Sequence, residues 1–264
     1  MSEETTPDQA AVQDPARRAF LGVSATAAAA AAGFVALAPG VRLMELAQAQ
    51  SSYPAAGQFA SSKIRWGMLI DTTKCATGCT DCVTACNKEN AIEPGSGRPA
   101  QSSQWIRKIE LTEQAGGHRE LSLPMMCQHC ANPPCVDVCP TGASFKRADG
   151  IVLVDRHICI GCRYCMMACP YQARSFVHEP LHDQNPEVPR GQGCVESCTL
   201  CVQRIDRGLG PACVEACTQA GHGAMLFGDL NDPNSEIATR IATTASSQVR
   251  ADLRLDPGVR YQGI

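Results

Sequence analysis

Sixteen of the seventeen cysteines fall into four groups of four, each closing with a C-x3-C step, and no other feature of the chain constrains its fold as tightly. The groups are Cys75, Cys79, Cys82, Cys86; Cys127, Cys130, Cys135, Cys139; Cys159, Cys162, Cys165, Cys169; and Cys198, Cys201, Cys213, Cys217. The third group, CIGCRYCMMACP, is the C-x2-C-x2-C-x3-C-P run that wraps a cubane iron-sulfur cluster. Three thiolates two residues apart face one cluster while the intervening amides point inward. The fourth starts a helix facing the other way and ligates the neighbouring cluster, with Pro170 turning the chain as it leaves.

Motifs built this way work in pairs. Between the second and third motifs, Ala148-Asp149-Gly150 reads as a turn and Ile151 to Val154 as a strand, the separation of a two-cluster unit. One cluster is therefore expected on Cys127, Cys130, Cys135 and Cys169, and a second on Cys159, Cys162, Cys165 and Cys139. The outer motifs are left to pair across this insert. They give Cys75, Cys79, Cys82 with Cys217, and Cys198, Cys201, Cys213 with Cys86. The expectation is four 4Fe-4S clusters in two nested two-cluster modules, an internal duplication.

Two other readings of the cysteines compete with this one. A disulfide framework suits small exported domains with irregular spacing, and cysteines two apart on one face do not all find distinct bridging partners. Structural zinc also uses paired C-x2-C hooks, but the x3 spacing before a fourth cysteine suits crossed cubane ligation better.

The N-terminus agrees with a metal-loaded cargo. Arg17 and Arg18, followed by Phe20 and Leu21, open an uncharged alanine-rich run from Ala19 to Val41, the layout of a twin-arginine signal that exports folded proteins. Ala16 and Gly22 depart from the usual residues of that signal. Cleavage is expected after Ala49, where Ala47-Gln48-Ala49 fits the small-x-small rule; an uncleaved membrane anchor is the alternative. The expected layout is a signal peptide over 1–49, a polar linker over 50–62 and a cluster domain over 63–232. Within that domain an outer module covers 63–120 and 190–232 and an inner one 121–189, and a tail over 233–264 packs on the domain or on a partner.

Aromatic residues make up 5% of the chain and the net charge is −3, so neither a large aromatic core nor a nucleic-acid surface is indicated. The clusters must then fill the interior, and metal binding and folding become one event. Short strands are expected at Arg65 to Ile70, Trp105 to Leu111, Ile151 to Val154 and Arg174 to Val177. Single helical turns should follow Cys82, Cys135, Cys165 and Cys213. The texture is α+β and loop-rich. The Gly-Ser-Gly within Ile92 to Ser103 lacks the strand-to-helix setting of a nucleotide site and reads as loop. His178 to Arg190 is an irregular connection, either a docking surface or a solvated loop.

Four residues outside the motifs or between their cysteines carry expectations of their own. Cys194, four before Cys198, reads as a spare thiol near the surface, with an exchangeable ligand as the sharper alternative. His129 either packs or tunes a cluster by hydrogen bonding. Arg204, near Cys201, either raises a cluster potential or forms an ion pair. The extra residue between Cys75 and Cys79, where Gly78 lies, widens the first hook, marking that site for altered geometry or potential. No Cys-x-x-Cys precedes a His, so covalent haem is not encoded, and no nucleophile or hydrolase constellation occurs. The chain is expected to have no catalytic site of its own.

The run from Cys127 to Phe176 and the segment CTLCVQRIDRGLGPACVEAC resemble the four-cluster iron-sulfur subunits of bacterial respiratory complexes. That family includes the electron-transfer subunits of dimethyl sulfoxide, polysulfide and tetrathionate reductases and the NrfC proteins. The twin-arginine signal, the widened motif CATGCTDCVTAC, the segment FGDLNDPNSE and the ending DPGVRYQGI are together similar to the DsrO branch of periplasmic subunits in DsrMKJOP-type membrane complexes. The resemblance implies electron transfer in sulfur metabolism, alongside an NrfD-like quinone-interacting membrane subunit and a multihaem cytochrome c. It places the chain on the periplasmic side of the cytoplasmic membrane, peripheral through its complex. Service to a molybdopterin oxidoreductase, and a zinc-stabilised interaction module, are the alternatives.

Overall fold

The computed structural model describes residues 60–93, 101–112 and 120–264. The expected signal peptide, almost all of the linker and the Gly-Ser-Gly of the 92–103 loop lie outside them.

Strand β1 (Trp66–Asp71) organises the outer part of the fold. Its sequence WGMLID is an apolar run without alternation, the pattern of a strand covered on both faces, and its first five residues are buried. It leads into helix α1 (Asp81–Glu89), then the ribbon of β2 (Ile106–Thr112) and β3 (Glu120–Met126). The second and third motifs follow. Helix α2 (Pro134–Asp137) precedes the hairpin β4 (Ser144–Lys146) and β5 (Val152–Val154), and α3 (Tyr164–Ala168) precedes β6 (Ser175–Phe176). Strand β7 (Val195–Glu196) pairs with β6. Helices α4 (Val202–Ile205) and α5 (Ala212–Gln219) carry the fourth motif. Strand β8 (Met225–Asp229), α6 (Glu236–Thr243) and β9 (Val259–Gln262) complete the order.

Strand β1 lies between β8, its antiparallel partner, and β9, which runs parallel to it. Trp66 stacks on Phe227 across the β1–β8 pair with ring centroids 5.1 Å apart. Its indole Nε1 donates to Asp149 at 3.1 Å, and Asp149 is also bound by Arg147, which reaches on to Asp206. One buried carboxylate thus ties the 147–150 turn to the central sheet. The connection at 178–190 is irregular, but it is anchored. Arg190 forms a buried ion pair with Glu196 at 2.7 Å and donates to the Ala91 carbonyl, while Asn185 donates to the carbonyl of Glu89 at the end of α1.

The four expected strands are present as β1, β2, β5 and β6, with ends shifted by one residue. The helices correct the expectation. Each begins one residue before its cysteine, and α1 and α5 are nine and eight residues long instead of single turns. Their cysteines stand at i and i+4, a spacing that puts both on one helix face, and the two helices stabilise each other by packing together. Helices α2 and α3 pack in the same way. Among the described residues no helix is long and apolar enough to cross a membrane.

Candidate functional site

Cys75 and Cys79 sit on the loop that follows β1, where Gly78 takes a φ of +76° that a side chain would strain, so the widened hook can turn back toward α1. Cys82 lies in the first turn of α1 and Cys217 in the last turn of α5. These four thiols line one cavity, together with Asp81, Lys108 and His222. At the other end of the same helix pair, Cys86 lies near Cys198, Cys213 and Cys201. The helices therefore run in opposite senses. Four residues of helix rise about 6 Å, so each helix serves two thiol sets, one at either end of its i, i+4 pair.

The inner motifs repeat the arrangement. Cys127, Cys130, Cys135 and Cys169 line a second cavity with Tyr171 and Arg174. Cys165 feels Cys139 and Cys159, and Cys162, between Cys159 and Cys165 in sequence, is the exposed cysteine of the chain. Gly161 adopts a φ of +69° and lies so close to the Gly193 carbonyl that a Cβ would collide with it, which fixes glycine in the CIGC hook. All seventeen cysteines carry free thiols, so the disulfide framework is absent.

Burial sets the chemistry of these thiols. It pushes Cys82 up to about 11, Cys135 to about 11 and Cys130 to about 12, and raises Cys86, Cys198 and Cys213 further. Thiols so placed hold their protons near neutrality, and a bound cation must displace them. Cys139 goes the other way. It is little buried, and hydrogen bonds from Ser144, Thr141 and Ala143 outweigh its desolvation. Donors already aimed at sulfur include the amides of Ser144 to Cys139 at 3.3 Å, Leu200 to Cys198 at 3.4 Å and Ala224 to Cys217 at 3.3 Å. Lys108 Nζ stands 2.9 Å from Cys75 Sγ and Arg174 Nη2 3.1 Å from Cys135 Sγ. Thiol-lined cavities with amide and cationic donors on sulfur fit anionic iron-sulfur clusters.

The residues singled out beside the motifs fare differently. Cys194 is covered, just beneath the surface. Its thiol donates to the Arg156 carbonyl at 3.3 Å and lies by Cys159 of the third motif. Cys194→Ala is accordingly expected to leave the iron content unchanged and to cost about 1 kcal/mol of stability, as measured by iron assay and thermal unfolding. His129 is packed. Its Nδ1 accepts the Val152 N–H at 3.0 Å, and burial lowers it to about 3, so the ring is a neutral structural acceptor. Arg204 forms ion pairs with Glu89 and Glu215, joining the end of α1 to α5. Sequence reasoning missed Lys108 and Arg174. The available signal was a cation within an expected strand, alone in the case of Arg174 and beside Arg107 in the case of Lys108.

A mixed α+β chain that brings cysteine-rich helical loops around paired thiol cavities is a ferredoxin-type iron-sulfur protein. Models of the 4Fe-4S dicluster domain match residues 74–143 and 119–230. The chain is 41% identical to the Hdr-like menaquinol oxidoreductase iron-sulfur subunit 1 of Archaeoglobus fulgidus, over 93% of this chain and 97% of that protein. It is 39% identical to a tetrathionate reductase subunit of Salmonella typhimurium, over 86% and 84%. A third relative, the menaquinone reductase iron-sulfur cluster-binding subunit of Nitratidesulfovibrio vulgaris, is 35% identical over 77% and 90%. The protein belongs to this family of 4Fe-4S iron-sulfur subunits of respiratory oxidoreductases. The zinc reading does not survive that match.

Proposed function

We propose that the chain is the electron-transfer subunit of a quinone-coupled complex of the DsrMKJOP kind, exported folded after loss of residues 1–49 and held on the periplasmic face by its partners. Four 4Fe-4S clusters would be held by Cys75, Cys79, Cys82, Cys217; by Cys198, Cys201, Cys213, Cys86; by Cys127, Cys130, Cys135, Cys169; and by Cys159, Cys162, Cys165, Cys139. Such a cluster supplies one-electron chemistry over a range of roughly −700 to +450 mV. The residues of this chain set the order, the insulation and the exits.

The observation that carries this reading is the sequence of approaches between thiol sets. Cys213 is close enough to feel Cys82, Cys198 to feel Cys127, and Cys135 to feel Cys165. The sets form a line from Cys75 at one end to Cys162 at the other, with the buried middle shielded from solvent. The Cys162 end is exposed and bordered by Ile158, Ile160, Tyr164 and Met167, the last 75% exposed. An apolar collar around an accessible ligand is suited to a partner that excludes water from the transfer path. We assign this end to the NrfD-like membrane subunit and the Cys75 end to the multihaem cytochrome side.

Purification of the native complex from membranes tests the assignment. A polytopic membrane subunit and a multihaem cytochrome c are expected to accompany the chain. A large molybdopterin subunit in their place would overturn the DsrMKJOP reading; the similarity to the tetrathionate reductase protein supports that rival. Met167→Glu is expected to keep the full iron content and lower recovery of the membrane subunit at least tenfold. Unchanged recovery would remove the collar from the interface.

A further inference from the structure

Arg174 follows the third motif and enters β6 with only 6% of its surface exposed. A guanidinium does not deprotonate in a protein, so its charge is carried into the interior intact. Arg190, the other strongly buried arginine, is matched by Glu196. No carboxylate matches Arg174 among the described residues. Its Nη2 donates to Cys135 Sγ at 3.1 Å and to Ser144 Oγ at 2.8 Å, whereas Nε and Nη1 have no hydrogen-bond partner.

Its surroundings are thiols of two different sets. Arg174 lines the Cys127, Cys130, Cys135, Cys169 cavity and also lies by Cys165 of the neighbouring set. The anion that compensates a buried, unpaired cation here is the pair of thiolate sites itself. Among the described residues the outer sets lack an equivalent. Lys108 at Cys75 is partly exposed to solvent, and Arg204 near Cys201 is already neutralised by Glu89 and Glu215.

We propose that Arg174 is an electrostatic positioning residue shared by the two inner clusters, holding both at higher potential than the same ligands would give without it. Reduction adds one negative charge to a cluster. A fixed cation in a low-dielectric setting favours the reduced state of each neighbour, and one group located between two sites shifts them together. The inner pair then becomes an electron-accepting stretch toward the Cys162 end. This inference rests on the ligand sets proposed above.

The test is a redox titration of the holoprotein followed by EPR, for wild type, Arg174→Gln and Arg174→Lys. With iron content retained, the Gln variant is expected to show two of the cluster signals displaced to lower potential. At the wild-type midpoint their oxidised-to-reduced ratio should rise roughly tenfold, about 59 mV for a one-electron couple. The other signals should stay in place, and the Lys variant should restore most of the shift. Wild-type potentials in the Gln variant, or equal shifts in Gln and Lys, would overturn the proposal. Where the Gln variant fails to hold iron, the Lys variant decides, because a tenfold displacement with charge retained also overturns it. The wild-type iron content, expected at about sixteen atoms per chain, tests the ligand sets separately.

Discussion

Stripping iron from the protein with a chelator, anaerobically and with a thiol reductant present, is expected to abolish its cooperative unfolding transition. The strands run from two to seven residues and the helices from four to nine, too short for independent stability. Their buried faces meet around cysteines. Cys82, Cys86, Cys127, Cys130, Cys135, Cys165, Cys198, Cys213 and Cys217 belong to the same core cluster as Trp66, Met68, Ile70 and Trp105. Structural metal in thiolate sites contributes on the order of 10 kcal/mol, comparable to the whole stability of a domain. Far-UV circular dichroism and a denaturant titration report the change, and an apo form with an intact two-state transition would refute the coupling. Because burial raises most of these thiols, reloading should release protons and become harder as pH falls.

Deleting residues 255–264 should be nearly as damaging, although no cluster motif is touched. The segment contributes β9, which extends the central sheet beside β1. It also binds the second motif loop: the N–H groups of Ala131 and Asn132 donate to the carbonyls of Asp256 and Leu255, and Gly258 donates to Gln128. Tyr261 is fully buried, accepting from Gln128 Nε2 and donating to the Pro124 carbonyl. Loss of a buried aromatic of this size costs about 3–5 kcal/mol, before the unpaired amides are counted. The truncated chain is expected to hold less iron and to unfold at lower temperature, whereas Tyr261→Phe, which removes only the hydroxyl, should cost about 1 kcal/mol. Full iron and an unchanged midpoint in the truncated chain would show the tail to be dispensable.

This clasp was not legible before the structure. The ending DPGVRYQGI stands out as a family feature, but a four-residue strand has no local signal that names a parallel partner nearly two hundred residues away. Strand β3 was hidden for another reason. ELSLPMM contains Pro124, which argues against a central strand, yet the two-stranded ribbon with β2 leaves it an edge where its missing donor does no harm. The short strands β4 and β7 follow from their pairing more than from propensity. Strand β1 was readable because six residues with five consecutive buried positions leave little choice.

The cysteine spacing by itself pointed to thiolate chemistry and to the proposed sets of Cys75, Cys79 and Cys82 with Cys217, and of Cys127, Cys130 and Cys135 with Cys169, whose members line two cavities. A sulfur's reach is short, and the i, i+4 and two-residue intervals encode it in the chain. Tertiary structure alone decided which charges stand beside those sulfurs. Lys108 reaches Cys75 from 33 residues away and Arg174 reaches Cys135 from 39, so each contact exists only once separate elements have packed. It also decided that Cys194 is buried by Cys159, that Arg204 is held by two carboxylates, and that the C-terminal strand closes the sheet. Local spacing fixes what a motif can bind, whereas the electrostatic surroundings are a property of the packed chain.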